Sequence, residues 1–451
     1  MRVLIAVHHY PPRRVGGAEL LARRQARWLA QQGIETRVVC VETLAFGSPR
    51  VTWDDEELDE IPVRRLHLQY PDPMSLLRAA FQEETLTQHF REIISAWQPD
   101  LVHLISGYLL GTAPLNAARA LHIPTVVTLT DFWFLCPTIQ LLKGDGTLCQ
   151  GPEPLECARC LYDRRRIFRA VDERAPRVMK AFWRAAERHV WLGKPFDLPP
   201  LLDALKTRRV ELMRALNETD AILAVTNFLA EMYEKNGLDS GNLIVKPNGL
   251  ELETFDPFTP RAPSDEIVFG YMGQIAPIKG VAILLRAFRI AQNANPTKKL
   301  RLMIFGRVNA EASYAEKLEK LARGNPAIIF VGAYEHARAL ALLAGMDALV
   351  VPSTWHENAP IVIQEAFAAR TPVIGSDVGG IAEWVKHGTN GLLFARGEAN
   401  DLARTMQRII DEPNLIEQLR RNFPTTRTYH QDMQELMGAY QRVLAKTKVM
   451  A

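Results

Sequence analysis

Residues 347–377 read DALVVPSTWHENAPIVIQEAFAARTPVIGSD, and their reading settles the fold class. DALVVPS is a short apolar run rich in Val and Leu, the pattern of a strand buried on both faces. TPVIGSD is a second such run, and the stretch between them has the length and composition of a helix. Strand, crossover helix and strand make one unit of a parallel sheet. Two carboxylates, Glu357 and Glu365, stand inside it eight positions apart, one at the mouth of the helix and one two turns in. A solvated capping Glu followed by an ordinary surface Glu accounts for them as simply as a binding site does.

The same alternation extends in both directions. Before it come EIVFGYMG, VAILLRAFRIAQ, LRLMIFG, SYAEKLEKLARG, AIIFVGA and HARALALLAG, and after it GLLFA. From the N-terminus run RVLIAV, AELLARRQARWLAQQG, TRVVCVE, DLVHLIS, GTAPLNAARALH, PTVVTLTD, AILAVT and NFLAEMYEKNG. IVKPNGLELETFDPFTPRAPSDE is rich in turn residues and reads as a linker. A chain of 451 residues is also too long for one ordinary core. The prediction is two Rossmann-like α/β domains, residues 1–250 and 251–427. A C-terminal amphipathic helix, 428–451, packs back on the first. Ligands of such sheets sit beyond the carboxyl ends of the strands, so the two domains are expected to face each other across a cleft. Neither domain has a G-x-G-x-x-G between its first strand and helix, which argues against a dinucleotide cofactor.

Composition is that of a soluble globular protein, with 47% hydrophobic and 23% charged residues. MRVLIAVHHYPP reads as a first strand and not as the core of an export signal. LVHLISGYLLGTAPLNAA is broken by His103, Gly107 and Pro114, so no spanning helix is expected. The expected location is the cytoplasm or the inner face of its membrane. The net charge of +3 is unevenly spread: residues 159–214 hold fifteen Lys or Arg against seven Asp or Glu. No nucleic-acid-binding module accompanies this basic segment, and nucleic acid is not an expected partner. Its aromatic residues Phe168, Phe182, Trp183, Trp191 and Phe196 suit peripheral contact with an anionic membrane, and a solvated helical face with buried aromatics fits equally well.

Three motifs stand at strand ends of the second domain. GQIAPIKG, residues 273–280, is a glycine turn leading into a helix, and its amides with Lys279 suit a diphosphate. In the opening stretch, Asn358, Ala359, Pro360 and Ile361 are read as the beginning of a helix whose N–H groups face the ligand. SDVGGIAEWV supplies Gly379 and Gly380, where backbone can approach closely.

GQIAPIKG, ENAPIVIQEA and PVIGSDVGGIAEWVKHGTNGLLF together resemble the retaining GT-B glycosyltransferases of family four, which use nucleotide-sugar donors. PPRRVGGAEL, DFWFLCP and NGLELETF agree in order, so the resemblance spans nearly the whole chain. It implies that Glu357 sits near the donor sugar and its phosphates, in an electrostatic and positional role. Glu365 would accept hydrogen bonds from the ribose hydroxyls. Lys279 would neutralise the pyrophosphate leaving group, and Gly16 and Gly17 would let the first loop approach the donor phosphates. No cofactor or catalytic metal is implied, the nucleotide-diphosphate sugar being a substrate.

Two positions depart from the family pattern. Gln274 stands where an Arg often gives the diphosphate a second cation. Thr130 stands where a His usually precedes Asp131 and contacts an outer hydroxyl of the donor sugar. Asp131 is read either as a sugar or acceptor contact or as a turn-stabilising residue.

Cys136, Cys149, Cys157 and Cys160 lie in one Gly- and Pro-rich insert, 136–160, ahead of the basic helical segment 161–215. Cys40 lies apart in a buried strand. Four thiols at C-x12-C-x7-C-x2-C suit a tetrahedral structural zinc, with free or paired thiols as the other reading. The functional expectation is a retaining, metal-independent glycosyltransferase acting on a glycan or lipid-linked acceptor in cell-surface polysaccharide synthesis. The alternatives are a nucleotide-sugar-binding pseudoenzyme and another GT-B enzyme such as a sugar phosphorylase, for which no pyridoxal phosphate motif is seen.

Overall fold

The computed structural model describes residues 1–14, 16–163, 171, 174–259, 261–262, 264–308 and 312–450. Phe168 of the basic segment lies outside them. The chain divides into two compact units, residues 1–246 with 433–451, and residues 247–432. Each is a parallel sheet covered by helices.

The described residues of the first unit form eight strands: β1 (Arg2–Val7), β2 (Glu35–Phe46), β3 (Arg50–Leu58), β4 (Ile61–Tyr70), β5 (Leu101–Ile105), β6 (Thr125–Leu129), β7 (Ala221–Ala224) and β8 (Leu243–Val245). Their order is β3-β4-β2-β1-β5-β6-β7-β8, all parallel except β3 against β4. Apolar runs without alternation make the centre: β5 and β6 are buried at every position, and β1 at all but its first. The order reverses between β1 and β5, so a crevice opens at their carboxyl ends. The β3–β4 hairpin was not read from the sequence. Its two-residue turn, Asp59–Glu60, has φ of 55° and 62°, the mirror-image geometry that hairpins favour. Asp-Glu is not a residue pair that announces that turn, and β3 is largely exposed, so no apolar period marks it.

Arg65 of β4 is 1% exposed and braces the loop after β1, donating to the carbonyls of Tyr10 (3.1 Å) and Pro11 (2.6 Å) and to Glu56 and Glu42. The C-terminal helix, Tyr429–Met450, contributes Met433, Leu436, Ala439, Tyr440 and Val443 to the buried set. Tyr440 Oη lies 2.7 Å from His103 Nδ1 on β5, and His103 Nε2 lies 2.7 Å from Thr128 Oγ1 on β6.

The described residues of the second unit form six strands: β9 (Glu266–Met272), β10 (Lys299–Phe305), β11 (Ile328–Gly332), β12 (Ala348–Val351), β13 (Val373–Ser376) and β14 (Gly391–Phe394). They are all parallel in the order β11-β10-β9-β12-β13-β14. Helix Val281–Ala294 seals one face through Val281, Leu284, Leu285, Phe288 and Ala291, the spacing of a helix with one apolar stripe. Here the order reverses between β9 and β12, and the loops leaving those strands carry GQIAPIKG and STWHENAP.

Candidate active site

In the second unit the loop after β9 ends in a tight turn, Pro277–Lys279, closed by Gly280 at φ 74°. A Cβ on Gly280 would lie 1.8 Å from the Pro352 carbonyl oxygen, so only glycine lets this turn press against the end of β12. Thr354 N–H in turn donates to the Ile278 carbonyl at 2.8 Å. The two loops are thereby fixed together, and they present Lys279 to Glu357.

Glu357 is buried, and three donors converge on its Oε1: Lys279 Nζ at 2.7 Å, Ser353 Oγ at 2.6 Å and Trp355 Nε1 at 2.9 Å. Lys279 Nζ also lies 5.1 Å from the centre of the Trp355 ring, within cation–π range. A lysine and a carboxylate locked at the switch point of a parallel sheet can hold an anionic ligand and orient the group attached to it. His356, next in the loop, has its pKa pushed down to about 4 by burial and the nearby charge of Arg396. Arg396 Nη1, in the loop after β14, supports the same segment through the Thr354 carbonyl at 2.8 Å.

Glu365 is not a surface residue. It is 2% exposed inside helix Ile361–Ala368, with Oε1 3.0 Å from His336 Nε2. His336 follows β11 and stands against the Phe255 ring at 5.0 Å. The Tyr334 hydroxyl is pushed up to about 12, by burial and by the charge of Glu365.

The helix entrance differs from expectation. The helix begins at Ile361, with Pro360 as its N-cap at ψ 102°, so Asn358, Ala359 and Pro360 precede it. Pro360 has no N–H to offer and cannot be an amide donor. What Gly379 and Gly380 admit is also visible: Gly380 N–H donates to the Glu357 carbonyl at 2.7 Å, and a Cβ on Gly380 would lie 1.8 Å from the Asn358 carbonyl oxygen. Gly380 holds the Glu357 loop in place, while Gly379 takes a positive φ of 55°. Gln274 is exposed, and its carbonyl accepts from Tyr271 Oη at 2.6 Å.

In the first unit, Gly16 caps helix Gly17–Gln31 in an extended conformation, and a Cβ there would lie 2.7 Å from Glu19 Oε2. Among the described residues, nothing beyond its own chain neighbours and helix backbone lies within 4 Å of a Cβ placed on Gly17. Glu19 Oε1 lies 3.2 Å from His8 Nε2 at the end of β1. Burial opposes ionisation of Glu19, but the hydrogen bond and charge of His8 outweigh it and hold the carboxyl below its usual range. Asp131, after β6, acts as a turn brace. Its Oδ2 accepts from Ser106 Oγ at 2.6 Å and Thr130 Oγ1 at 3.4 Å, and its Oδ1 from Trp133 N–H at 2.8 Å.

The four insert thiols are gathered but do not surround a point. Among the described residues no three His, Cys, Asp or Glu side chains are placed to hold one metal ion, so the expected zinc has no ligand set as the thiols stand. Cys136 Sγ turns to Thr138 Oγ1 at 3.2 Å, and Cys149 Sγ to the Gly151 carbonyl at 3.1 Å. Burial, followed by the neighbouring sulfurs, pushes the Cys157 and Cys160 thiols up to about 12. Of the basic segment's aromatics, Trp183, Phe182 and Phe196 pack in a local core with Leu155, Tyr162 and Leu201, while Trp191 is 72% exposed. No described helix is long and apolar enough to cross a membrane.

Sequence reasoning named Glu357, Glu365 and Lys279, and did not name the partners that the structure sets around them, Ser353, Trp355, His336 and Arg396. Trp355 and Ser353 were within reach, since a loop after a buried strand at a switch point is where partners gather. His336 and Arg396 left no signal, because they come from other strand ends.

The family model for glycosyl transferases group 1 matches residues 253–425, and that for glycosyltransferase family 4 matches residues 15–254. The 2-deoxystreptamine glucosyltransferase of Streptomyces kanamyceticus is 27% identical over 404 residues, 86% of this chain and 88% of that protein. A D-inositol 3-phosphate glycosyltransferase of Catenulispora acidiphila is 29% identical over 217 residues, 45% of this chain. The match spans 51% of that relative's length. Among solved structures, Anabaena HepE in complex with UDP and glucose superposes with a TM-score of 0.63 at 18% identity, covering 98% of this chain and 100% of that one. Sucrose-phosphate synthase of Thermosynechococcus elongatus gives 0.64 at 19% identity, covering 99% and 100%.

Proposed function

The chain belongs to glycosyltransferase family 4 and has the GT-B fold, and from that premise we propose that it moves a sugar from a nucleotide-diphosphate sugar to an acceptor hydroxyl with retention of configuration. The observation that carries the reading is the convergence of Lys279, Ser353 and Trp355 on Glu357 at the β9/β12 switch point, with Glu365 buried in the helix that follows the same loop. In this reading Lys279 takes the diphosphate, Glu357 the sugar end and Glu365 the ribose. Loop amides around residue 358 and the exposed Gln274 complete the donor site. A uridine nucleotide is the first candidate, because the structure of HepE holds UDP and glucose.

The acceptor oxygen forms the new bond to the anomeric carbon as the bond from that carbon to the diphosphate breaks. The acceptor's proton passes to the departing phosphate oxygen, and the nucleoside diphosphate leaves. Lys279 stabilises the negative charge that develops on it, an electrostatic role that needs no metal ion. Glu357 orients Lys279 and the donor sugar and forms no covalent bond. The acceptor is a glycan, free or lipid-linked, of a cell-surface polysaccharide. Exposed Trp191 amid basic residues supports a peripheral place on the inner membrane face.

A thermal-shift panel of nucleoside diphosphates and their sugars tests the donor assignment. Stabilisation by one diphosphate, and further by one of its sugars, is expected. No response to any member removes the reading. Proton NMR of the product then reads the anomeric configuration, and an inverted product overturns retention.

A further inference from the structure

The first unit contains a cavity of about 730 Å³ that the donor chemistry leaves unused. It lies beyond the carboxyl ends of β2, β5 and β6, beside the β1/β5 reversal. Its apolar walls include Leu77 of helix Pro73–Ala79, Tyr108 after β5, Trp133 after β6, Pro137 from the cysteine insert, and Tyr162 and Leu201 from the basic segment. The insert and the basic segment thus build part of this wall. Tyr162 stacks on buried Trp183, with ring centres 5.0 Å apart, and its hydroxyl donates to the Phe196 carbonyl, so the wall rests on a packed core.

Asp131 and Ser106 hold the inner wall. Ser106 Oγ bonds Asp131 and accepts the Tyr108 N–H at 3.2 Å, while Asp131 accepts the Trp133 N–H. The two aromatic residues are therefore set by one carboxylate–hydroxyl brace.

The charges around the cavity are selective. Asp72 and Asp197 stand at its lining, and Asp197 is exposed. Among the described lining residues the one cation is Arg208, which is 3% exposed. Its guanidinium donates to the Trp133 carbonyl and sits 5.0 Å from the Trp133 ring centre. A phosphate or carboxylate here would meet two acids and a cation already engaged.

We infer that this cavity is the acceptor site and that it selects an uncharged, hydroxyl-bearing acceptor with an apolar body, such as a neutral glycolipid. The inference rests on the glycosyltransfer reading for its purpose but not for its test. An aromatic and aliphatic enclosure of this volume takes a drug-sized apolar body. Exposed Asp197 can accept hydroxyl hydrogen bonds, while Asp72, engaged as the cap of helix Pro73–Ala79, adds a second negative charge that repels anions.

Calorimetry on the full chain, with no donor present, tests it. The probes are octyl glucoside below its micelle concentration, methyl glucoside and octyl phosphate. Octyl glucoside is expected to bind at least tenfold more tightly than either of the others. Leu77→Glu should weaken octyl glucoside at least tenfold while leaving the circular dichroism spectrum and the cooperative thermal unfolding of the chain unchanged, which shows that the variant folds. Asp197→Asn should strengthen octyl phosphate at least threefold. Equal binding of methyl and octyl glucoside, tightest binding of octyl phosphate, or an unaffected Leu77→Glu variant that folds would overturn the inference. If Leu77→Glu does not fold, the probe ranking and Asp197→Asn decide. Binding as expected, but no sugar transfer from any donor, would refute the transferase reading and leave standing only the cavity's selectivity for an uncharged, hydroxyl-bearing ligand with an apolar body.

Discussion

At the residue scale the protein turns on one carboxylate oxygen. Glu357 Oε1 receives an ammonium, a hydroxyl and an indole N–H, all within 2.9 Å. A hydrogen bond to a charged group contributes about 1.5–3 kcal/mol. Ser353→Ala and Trp355→Phe should therefore each lower kcat about tenfold or more, with the fold intact, because Glu357 loses one fixed partner. Lys279→Ala removes the charge proposed to face the leaving group as well, and about a hundredfold loss in kcat is expected. Steady-state kinetics check both; wild-type turnover in Ser353→Ala would show that Glu357 needs no such support. The acids and the lysine were singled out by the motifs that carry the family resemblance, since their spacing alone fits a solvated helix equally well. Their partners were not, since a contact such as His336 to Glu365 joins two loops with no shared period.

At the element scale, glycine contacts and buried polar pairs do the positioning. Gly280→Ala puts a Cβ against the Pro352 carbonyl at a φ of 74°, and both faults act together. A loss of about 1–3 kcal/mol is expected for the backbone strain alone, read as a lower midpoint in urea unfolding of the second unit. An unchanged midpoint would mean that the turn is not held by this approach. In the first unit, Tyr440→Phe leaves His103 Nδ1 buried without its partner, at about 1–3 kcal/mol. His103 is at 0% exposure and its pKa is lowered to about 3, by burial and then by the charge of Lys246. The unfolded chain, near 6.5, takes up a proton first as pH falls. Stability is thus complete above about pH 6.5 and declines toward pH 3, by about 1.4 kcal/mol per pH unit for this group. Urea midpoints at pH 7 and pH 5 measure that slope, which His103→Gln should reduce. A slope unchanged by that substitution would contradict a neutral buried imidazole. The strands of these elements were readable as unbroken apolar runs. The β3–β4 hairpin was not, since its exposed charged strand and Asp-Glu turn show neither period nor turn signature.

At the scale of the whole molecule, two parallel sheets each reverse their strand order once, and each reversal opens where chemistry-bearing side chains collect. The alternation of strands and helices predicted this architecture, because burial on both faces forces unbroken apolar runs whatever lies in the loops. The cysteine insert resisted reading, because spacing alone does not say whether thiols surround a point, and here they do not. The basic segment resisted it too: most of its described aromatics serve a local core, leaving Trp191 outside. The central claim is that the second unit holds a nucleotide diphosphate between Lys279 and Glu365. Its most direct test is calorimetric titration of UDP into the full chain and into Glu365→Gln. Wild-type binding weakened at least tenfold by the substitution is the predicted result. Equal UDP affinity in the two proteins would contradict it.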